Sequence, residues 1–514
     1  MNAGVTAARP AGWIDRLDER AARRLTLALV AAATLARGAV AAAIGLGDAE
    51  AFYWCYARHL AGGYLEHPPG IALLVRGATA LFGDAPLAVR LPSLLCTAVA
   101  TLALAALAAR RATTWRAGLA TAALLTVAPA LYAGGLSASP DPAFAAAWSV
   151  LLLLVDVALA AAATAPARAD AALLGAGAAL GVAFEAKHFG LFALPALALL
   201  VVLDARARAL ARRPAFLGAA ALAAAAALPN VLWNATRGWP TLANRFVWQQ
   251  GGAGFSPLNL LRLAGGQLAY LSPLVWLGLM ALVPRLWRAL RPRPPAPAPD
   301  PAGASRDRAL AALALVPLAL SYLVAAWTPR AEPHWPLVGT YALFAAAGPA
   351  WLAAPPGGRL RRYGRAAVWV AAAFVAALHV LVLTNVAAGL FAEPRHDLSN
   401  ELVGWDAVAA RVRAARTPGE PVTSYHYTMC AQLSYALRED LPCLSPRTDD
   451  FDLWGGGALP PGARTFLFVG DNRYDELPAA LYPWARCGAA PLLESRITRA
   501  GHVVRTFRIW RCAT

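Results

Sequence analysis

The chain has 514 residues, of which 59% are hydrophobic and 15% are charged. Soluble domains carry about 25% charged residues, so a soluble globular protein is excluded. The formal net charge of +17 would suit nucleic acid in a soluble protein, but here the arginines sit between long apolar runs, which argues for topology and against a nucleic-acid partner.

A helix needs about 20 apolar residues to cross roughly 30 Å of hydrocarbon. About eleven runs qualify, at 25–45, 92–109, 117–134, 141–162, 170–186, 189–204, 214–234, 263–284, 309–327, 336–354 and 366–390. The first follows a basic amphipathic start over 13–24 and is long enough to remain as a span, so no cleavable leader is expected. Alternate connections carry the arginines: Arg16 to Arg24, Arg110 to Arg116, Arg206 to Arg213, Arg285 to Arg293 and Arg359 to Arg365. Positive residues stay inside. The N-terminus and these clusters are therefore expected in the cytoplasm, and the C-terminus outside.

Three stretches interrupt the spans. Residues 46–91 form an outer loop read as short helices on the membrane surface, because Glu66, His67 and the Pro68-Pro69 pair suit mid-bilayer poorly. Residues 292–305 are a proline-rich linker without chemistry. From about 395 the composition becomes that of a soluble domain, with strand-like RTFLFVGDN and VVRTFRIWR and helix-like WDAVAARVRAA. This tail holds Cys430, Cys443, Cys487 and Cys512. An even count outside the membrane predicts one or two disulfides, with three pairings open; buried thiols are the alternative.

The architecture expected is an all-α polytopic membrane protein with a small C-terminal α/β domain outside the membrane. Residues 1–24 form the cytoplasmic N-terminus, 25–394 the membrane domain and 395–514 the outer domain.

Polar groups at membrane depth or at helix mouths are costly and point to function. Nearly all of them fall on the outer side. Asp48 and Glu50 follow the first span, and four-residue spacing from Glu50 places Trp54 and Arg58 on one helix face. A carboxylate, a flat ring and a cation are what sugar transfer needs: a base, a stacking platform and a counter-charge for a leaving phosphate. The competing reading is a capped helix start. Glu66 and His67 stand in a loop stiffened by two prolines, where Glu66 would bind a metal or position an acceptor. Asp141 opens the fourth span as a cap or as a second carboxylate. Lys187 is the only lysine among 46 lysines and arginines. Beside Glu185 and His188, it is either paired with Glu185 or a point charge for a lipid phosphate. Arg237, Glu332 and His334 are weaker candidates in outer loops rich in tryptophan, a residue that usually only anchors at the interface. Arg37, inside the first span, must face protein, water or a phosphate.

The strings DAEAFYW, GYLEHPP and LFGDAPLAVRLPS resemble the first outer loop of bacterial glycosyltransferases of the GT-C fold. The branch concerned is similar to protein O-mannosyltransferases and the lipid A aminoarabinose transferase (families 39 and 83). The resemblance continues through SPDPAFAAAW, EAKHFGLFALPAL, LPNVLWNATRGWPT and EPHWP, and covers about 25–345 in matching order. It implies a sugar donor on a polyprenyl phosphate and a lipid, glycan or protein acceptor outside a bacterial inner membrane. It also implies a catalytic carboxylate in the first outer loop, Asp48 or Glu50. The family pattern has adjacent Asp-Glu; here Glu50 matches the glutamate and Ala49 takes the aspartate's place, leaving Asp48 shifted by one. Lys187 matches the family's lysine. Whether Asp48, Glu66 or Asp141 holds a divalent metal is left open, and no other cofactor is implied. A lipid-linked sugar transporter and a non-catalytic scaffold are the rival readings. The transporter would place charges near the membrane midplane, and the scaffold would need neither the lone lysine nor the ordered motifs.

Overall fold

In the computed structural model, residues 12–248, 253–291, 301–328, 330–388, 398–474, 476–499 and 501–514 are described. The membrane domain runs through α1 (Glu19–Ala43), α2 (Asp48–Arg58), α3 (Gly70–Phe82), α4 (Pro86–Ala112), α5 (Trp115–Val127), α6 (Pro129–Leu136), α7 (Pro140–Ala161) and α8 (Pro166–Ala186). It continues through α9 (Ala193–Leu203), α10 (Ala205–Ala211), α11 (Pro214–Ala235), α12 (Pro240–Ala243), α13 (Pro257–Leu271), α14 (Pro273–Met280), α15 (Val283–Leu290), α16 (Pro301–Trp327), α17 (Leu337–Ala353) and α18 (Arg359–Ala388). Among the described residues, 8 helices are long and apolar enough to cross a membrane, or up to 10 if each bent pair counts as one span. The chain is a multi-pass membrane protein.

Each expected span has a helical counterpart, but several differ in form. The run at 117–134 is bent by 69° between α5 and α6, where Pro129 starts a new helix. The run at 189–204 turns by 114° into α10, because Asp204 caps that helix by accepting from the amides of Arg206 and Ala207, each at 3.0 Å. The run at 263–284 is not one helix: the chain breaks at Ser272, where φ is 67°, and Pro273 opens α14. Helix α16 already begins at Pro301, inside the expected linker, while 292–300 and the 394/395 boundary lie outside the described residues.

Close packing uses small residues. A Cβ added at Gly177 of α8 would stand 2.1 Å from the carbonyl oxygen of Ala219 in α11, and one at Gly181 would stand 2.5 Å from the Ala226 Cβ. Two glycines one turn apart thus bring these backbones together, as membrane helices commonly do. At the arginine-rich end, Asp156 is buried among Arg110 (3.2 Å), Arg111 (3.6 Å) and Arg306 (2.7 Å), and Arg308 holds Asp204 at 2.6 Å. The buried Arg37 lies over the Tyr132 ring at 4.9 Å, so it faces protein.

The C-terminal unit contains α19 (Trp405–Ala415), β1 (Val422–Thr423), α20 (Tyr427–Leu437), α21 (Asp450–Leu453), β2 (Thr465–Asp471), α22 (Pro478–Leu481), β3 (Arg486–Cys487), β4 (Leu493–Arg499) and β5 (His502–Ala513). Strand β1 is parallel to β2, β2 is antiparallel to β5, and β3 and β4 both pair antiparallel with β5. Val408 and Val412 of α19 and Met429 and Leu433 of α20 pack on Leu467, Val469, Phe507 and Ile509 of the sheet. The disulfides are Cys430–Cys443 and Cys487–Cys512, the second joining registered neighbours on β3 and β5.

Candidate active site

Helix α2 does not lie on a surface. Nearly all of it is buried, packed between α3 and α20. Its first turn follows Gly45, where an added Cβ would stand 2.2 Å from the carbonyl oxygen of Leu402, so only glycine fits. The two expected bases are both committed at this turn. Glu50 accepts from Arg90 Nε at 2.7 Å, from the Gly47 amide at 2.8 Å and from the Ala138 amide at 2.8 Å. Asp48 accepts from Arg473 Nη1 at 2.7 Å and from Gln432 Nε2 at 3.0 Å, both in the C-terminal unit. Arg473 also holds Asp471 at 2.8 Å, and Arg505 binds the same Asp471 oxygen. Both carboxylates are thus buried in ion pairs with arginines. Residue 49, between them, is the one that lines the cavity, and it is alanine.

Trp54 and Arg58 do share a face, with the guanidinium 5.0 Å from the indole centroid. That face meets the C-terminal unit. Arg58 Nε donates to Asp440 at 2.5 Å, and Trp54 Nε1 donates to Asp84 at 2.7 Å. Arg237 is exposed and rests over Trp233 at 5.2 Å. None of these three lines the cavity.

The cavity occupies about 1730 Å³. Its polar end gathers Glu66, His67, Asp141, Lys187, His188, Glu332 and His334 from the expected candidates, together with Tyr53 and Arg245. Lys187 ends α8 in an extended conformation and turns to Asp141, not to Glu185: Nζ to Oδ1 is 2.7 Å, and the ammonium lies 5.0 Å from the Phe189 ring centroid. His188 Nε2 pairs with Asn230 at 3.3 Å, and His334 Nδ1 with Glu332 at 3.1 Å. The hydrogen bond from His334 holds the Glu332 carboxyl below its ordinary range against burial. His67 packs on Tyr53 at 5.8 Å between centroids. Burial, reinforced by Lys187 and Arg245, pushes its imidazole well below the ordinary value, so it stands neutral.

The rest of the cavity is an apolar channel. Leu151, Val155, Ala158 and Leu159 line it from α7, and Ala176, Leu180 and Phe184 from α8. Alanines of α11 close it, from Ala219 to Ala227. From Asp141 to Leu159 the helix rises about 27 Å, nearly the hydrocarbon thickness.

The expected metal set does not converge. Asp48 faces the C-terminal unit while Glu66 and Asp141 face the cavity, and among the described residues no group of three or more His, Cys, Asp or Glu is placed to hold an ion. Tyr53 and Arg245 were not singled out from the sequence. Tyr53 stands one turn after Ala49, so the cavity face of α2 is a single residue off the face expected; Arg245 follows the NATRGWPT motif, and its only signal was a cation on the outer side.

Residues 66–233 match the family model described as dolichyl-phosphate-mannose-protein mannosyltransferase. No curated protein sequence matches the chain. Among solved structures, ArnT from Cupriavidus metallidurans bound to undecaprenyl phosphate is 16% identical with a TM-score of 0.61, covering 94% of this chain and 97% of that one. The apo state of the same protein gives 16% identity and a TM-score of 0.62, covering 95% and 98%. The likeness therefore extends through the C-terminal unit as well as the bundle.

Proposed function

We propose that this chain, a glycosyltransferase with the GT-C fold of the protein mannosyltransferase and ArnT type, moves one sugar from a polyprenyl-phosphate carrier to an envelope acceptor on the periplasmic face of a bacterial inner membrane. The observation that carries this reading is the cavity: a cation-bearing polar head joined to an apolar channel about as long as a bilayer is thick. A phosphate on a long isoprenoid tail has that division of chemistry. Arg90 near the start of α4 reaches Glu50 of α2, while Arg110 and Arg111 stand in the last turn of α4, about 30 Å along the helix, which supports the periplasmic assignment for the site.

The tail lies along α7, α8 and α11 and the phosphate sits beside Lys187 and Arg245. Asp141 orients Lys187 until the phosphate arrives. Glu66 lines the cavity at its polar end, on the turn that also brings His67 there, and we assign it the role of base. The acceptor oxygen loses its proton to Glu66 and forms a bond to the anomeric carbon. The bond from that carbon to the phosphate oxygen breaks, and polyprenyl phosphate leaves with its charge met by Lys187. One displacement inverts the anomeric centre. The acceptor is a lipid A, another glycan, a lipid or a protein.

The test is mass spectrometry of envelope glycoconjugates and lipid-linked sugars in cells carrying the wild type, Glu66→Gln or Lys187→Ala. One conjugate should lose a single sugar while its polyprenyl-phosphate donor accumulates. Unchanged profiles with stably expressed variants would overturn the proposal.

A further inference from the structure

The turn that carries Glu66 and His67 is gripped from two sides. On the bundle side, Thr241 Oγ1 donates to the Tyr64 carbonyl at 2.9 Å, Asn244 Nδ2 to that of Leu65 at 3.2 Å and Arg245 Nη2 to that of Glu66 at 3.3 Å. The Leu65 amide points the other way and donates to Asp450 Oδ1 of the C-terminal unit at 2.8 Å. The second oxygen of Asp450 accepts from the Tyr56 hydroxyl at 2.5 Å. Tyr56 stacks on Tyr64 with 3.7 Å between centroids, and the Tyr64 hydroxyl returns to the Tyr56 carbonyl at 3.0 Å. Asp450 thus closes a ring joining α2, the turn and the C-terminal unit.

Asp450 is itself rigidly mounted. Its helix begins with Asp449 accepting from the Phe451 amide at 2.9 Å, Gly456 donates to the Phe451 carbonyl at 2.7 Å, and the Cys443 amide donates to the Gly456 carbonyl at 2.8 Å. Cys443 is disulfide-bonded to Cys430 on α20, which packs on α2. A carboxyl group is an expensive choice here. Asp450 is 2% exposed and bonded to Tyr56, whose ring packs on Phe52 and Trp454. Among the described residues, the titratable groups that act on it are Tyr56 on α2, Tyr64 and Glu66 on the turn and Asp449 beside it, none of them a cation, and burial pushes its carboxyl up to about 7. An apolar residue would fill this space at lower cost, but it would make neither bond.

We propose that Asp450 is a positioning residue: its carboxyl group bridges the Leu65 amide and the Tyr56 hydroxyl, so that the C-terminal unit sets where Glu66 and His67 stand in the cavity. The effect on transfer rests on the assignment of Glu66 as base; the effect on the turn does not. The charged form is the disfavoured one, because the folded carboxyl titrates near 7 and an ordinary one near 3.8. The stability it contributes is present at low pH and is lost as pH rises through about 7. Asparagine keeps an acceptor for Leu65 and a polar partner for Tyr56 without that titration.

The experiment compares Asp450→Ala, Asp450→Asn, Asp450→Glu, Glu66→Gln and the double variant Glu66→Gln/Asp450→Ala in the full chain. Hydrogen exchange in detergent should show the 60–67 segment opening about tenfold faster in Asp450→Ala, near wild type in Asp450→Asn, with exchange in 430–443 unchanged. The sugar-modified conjugate in cells should fall at least about tenfold in Asp450→Ala, as a misplaced catalytic group predicts. Asparagine should restore it, with a pH profile flatter up to about 7 than the wild type. Binding of undecaprenyl phosphate should stay within about threefold throughout, since Asp450 does not line the cavity, and the double variant should be no worse than Glu66→Gln alone. Unchanged exchange at 60–67 in Asp450→Ala, or asparagine as damaging as alanine, overturns the proposal. If alanine does not fold, the other pair decides: a near-normal Asn variant with an impaired Glu variant supports it, and the reverse overturns it. Full transfer by Glu66→Gln would remove the base assignment alone, leaving the exchange result to judge Asp450.

Discussion

Replacing Arg90 by leucine separates a structural Glu50 from a catalytic one. Arg90 donates to Glu50 Oε1 at 2.7 Å, to the carbonyls of Ala41 and Ile44 at 2.9 Å each, and to that of Gly45 at 2.6 Å. The two side chains are 2% and 5% exposed, so water replaces none of these bonds when one partner is removed. Leaving a buried charge alone costs about 3–5 kcal/mol, so Arg90→Leu and Glu50→Leu should each lower the thermal midpoint strongly. The double variant buries no lone charge and should be destabilised by less than the sum of the two. The assay is the thermal midpoint of the full chain by fluorescence-detected gel filtration, with transfer measured per folded molecule at a temperature where each variant survives. Folded Glu50→Gln should retain transfer. A Glu50→Gln variant with wild-type stability and no transfer would refute the reasoning, because it would make Glu50 the base rather than a tie.

Lys187→Ala should weaken binding of undecaprenyl phosphate by roughly ten- to a hundredfold, as expected for about 1.5–3 kcal/mol from a charged hydrogen bond; an unchanged Kd by native mass spectrometry would take the phosphate away from Lys187. Gly177→Ala should sharply reduce folded protein, since its Cβ would meet the Ala219 carbonyl at 2.1 Å, whereas Gly77→Ala, with nothing within 4 Å, should behave as wild type in gel filtration. Exchanging Cys430 and Cys443 for serine opens a link between residues 13 apart. That should cost about 2–4 kcal/mol. The readout is a lower melting midpoint that no longer responds to reductant at this bridge.

The membrane spans were legible because hydropathy is a local property: a run of apolar residues crosses a bilayer whatever its neighbours are. The strands at Thr465–Asp471 and His502–Ala513 and the helix at Trp405–Ala415 were legible for the same reason, since their periodicity is written in consecutive residues. Lys187 announced itself through composition alone. What it pairs with did not. Glu185 is two residues away, yet the chain leaves α8 at Lys187 and turns the ammonium to Asp141 on another helix. The disulfide pairing likewise depended on β3 and β5 becoming neighbours and on Cys443 returning to α20. Only the tertiary structure decided the first outer loop. Successive helical residues point about 100° apart, so Asp48, Ala49 and Glu50 face three directions. Which of them meets substrate depends on what surrounds α2. The Arg90 of α4 claims Glu50, the Arg473 of the C-terminal unit claims Asp48, and the cavity is left to Ala49 and to Glu66 on a turn held by residues far away in sequence.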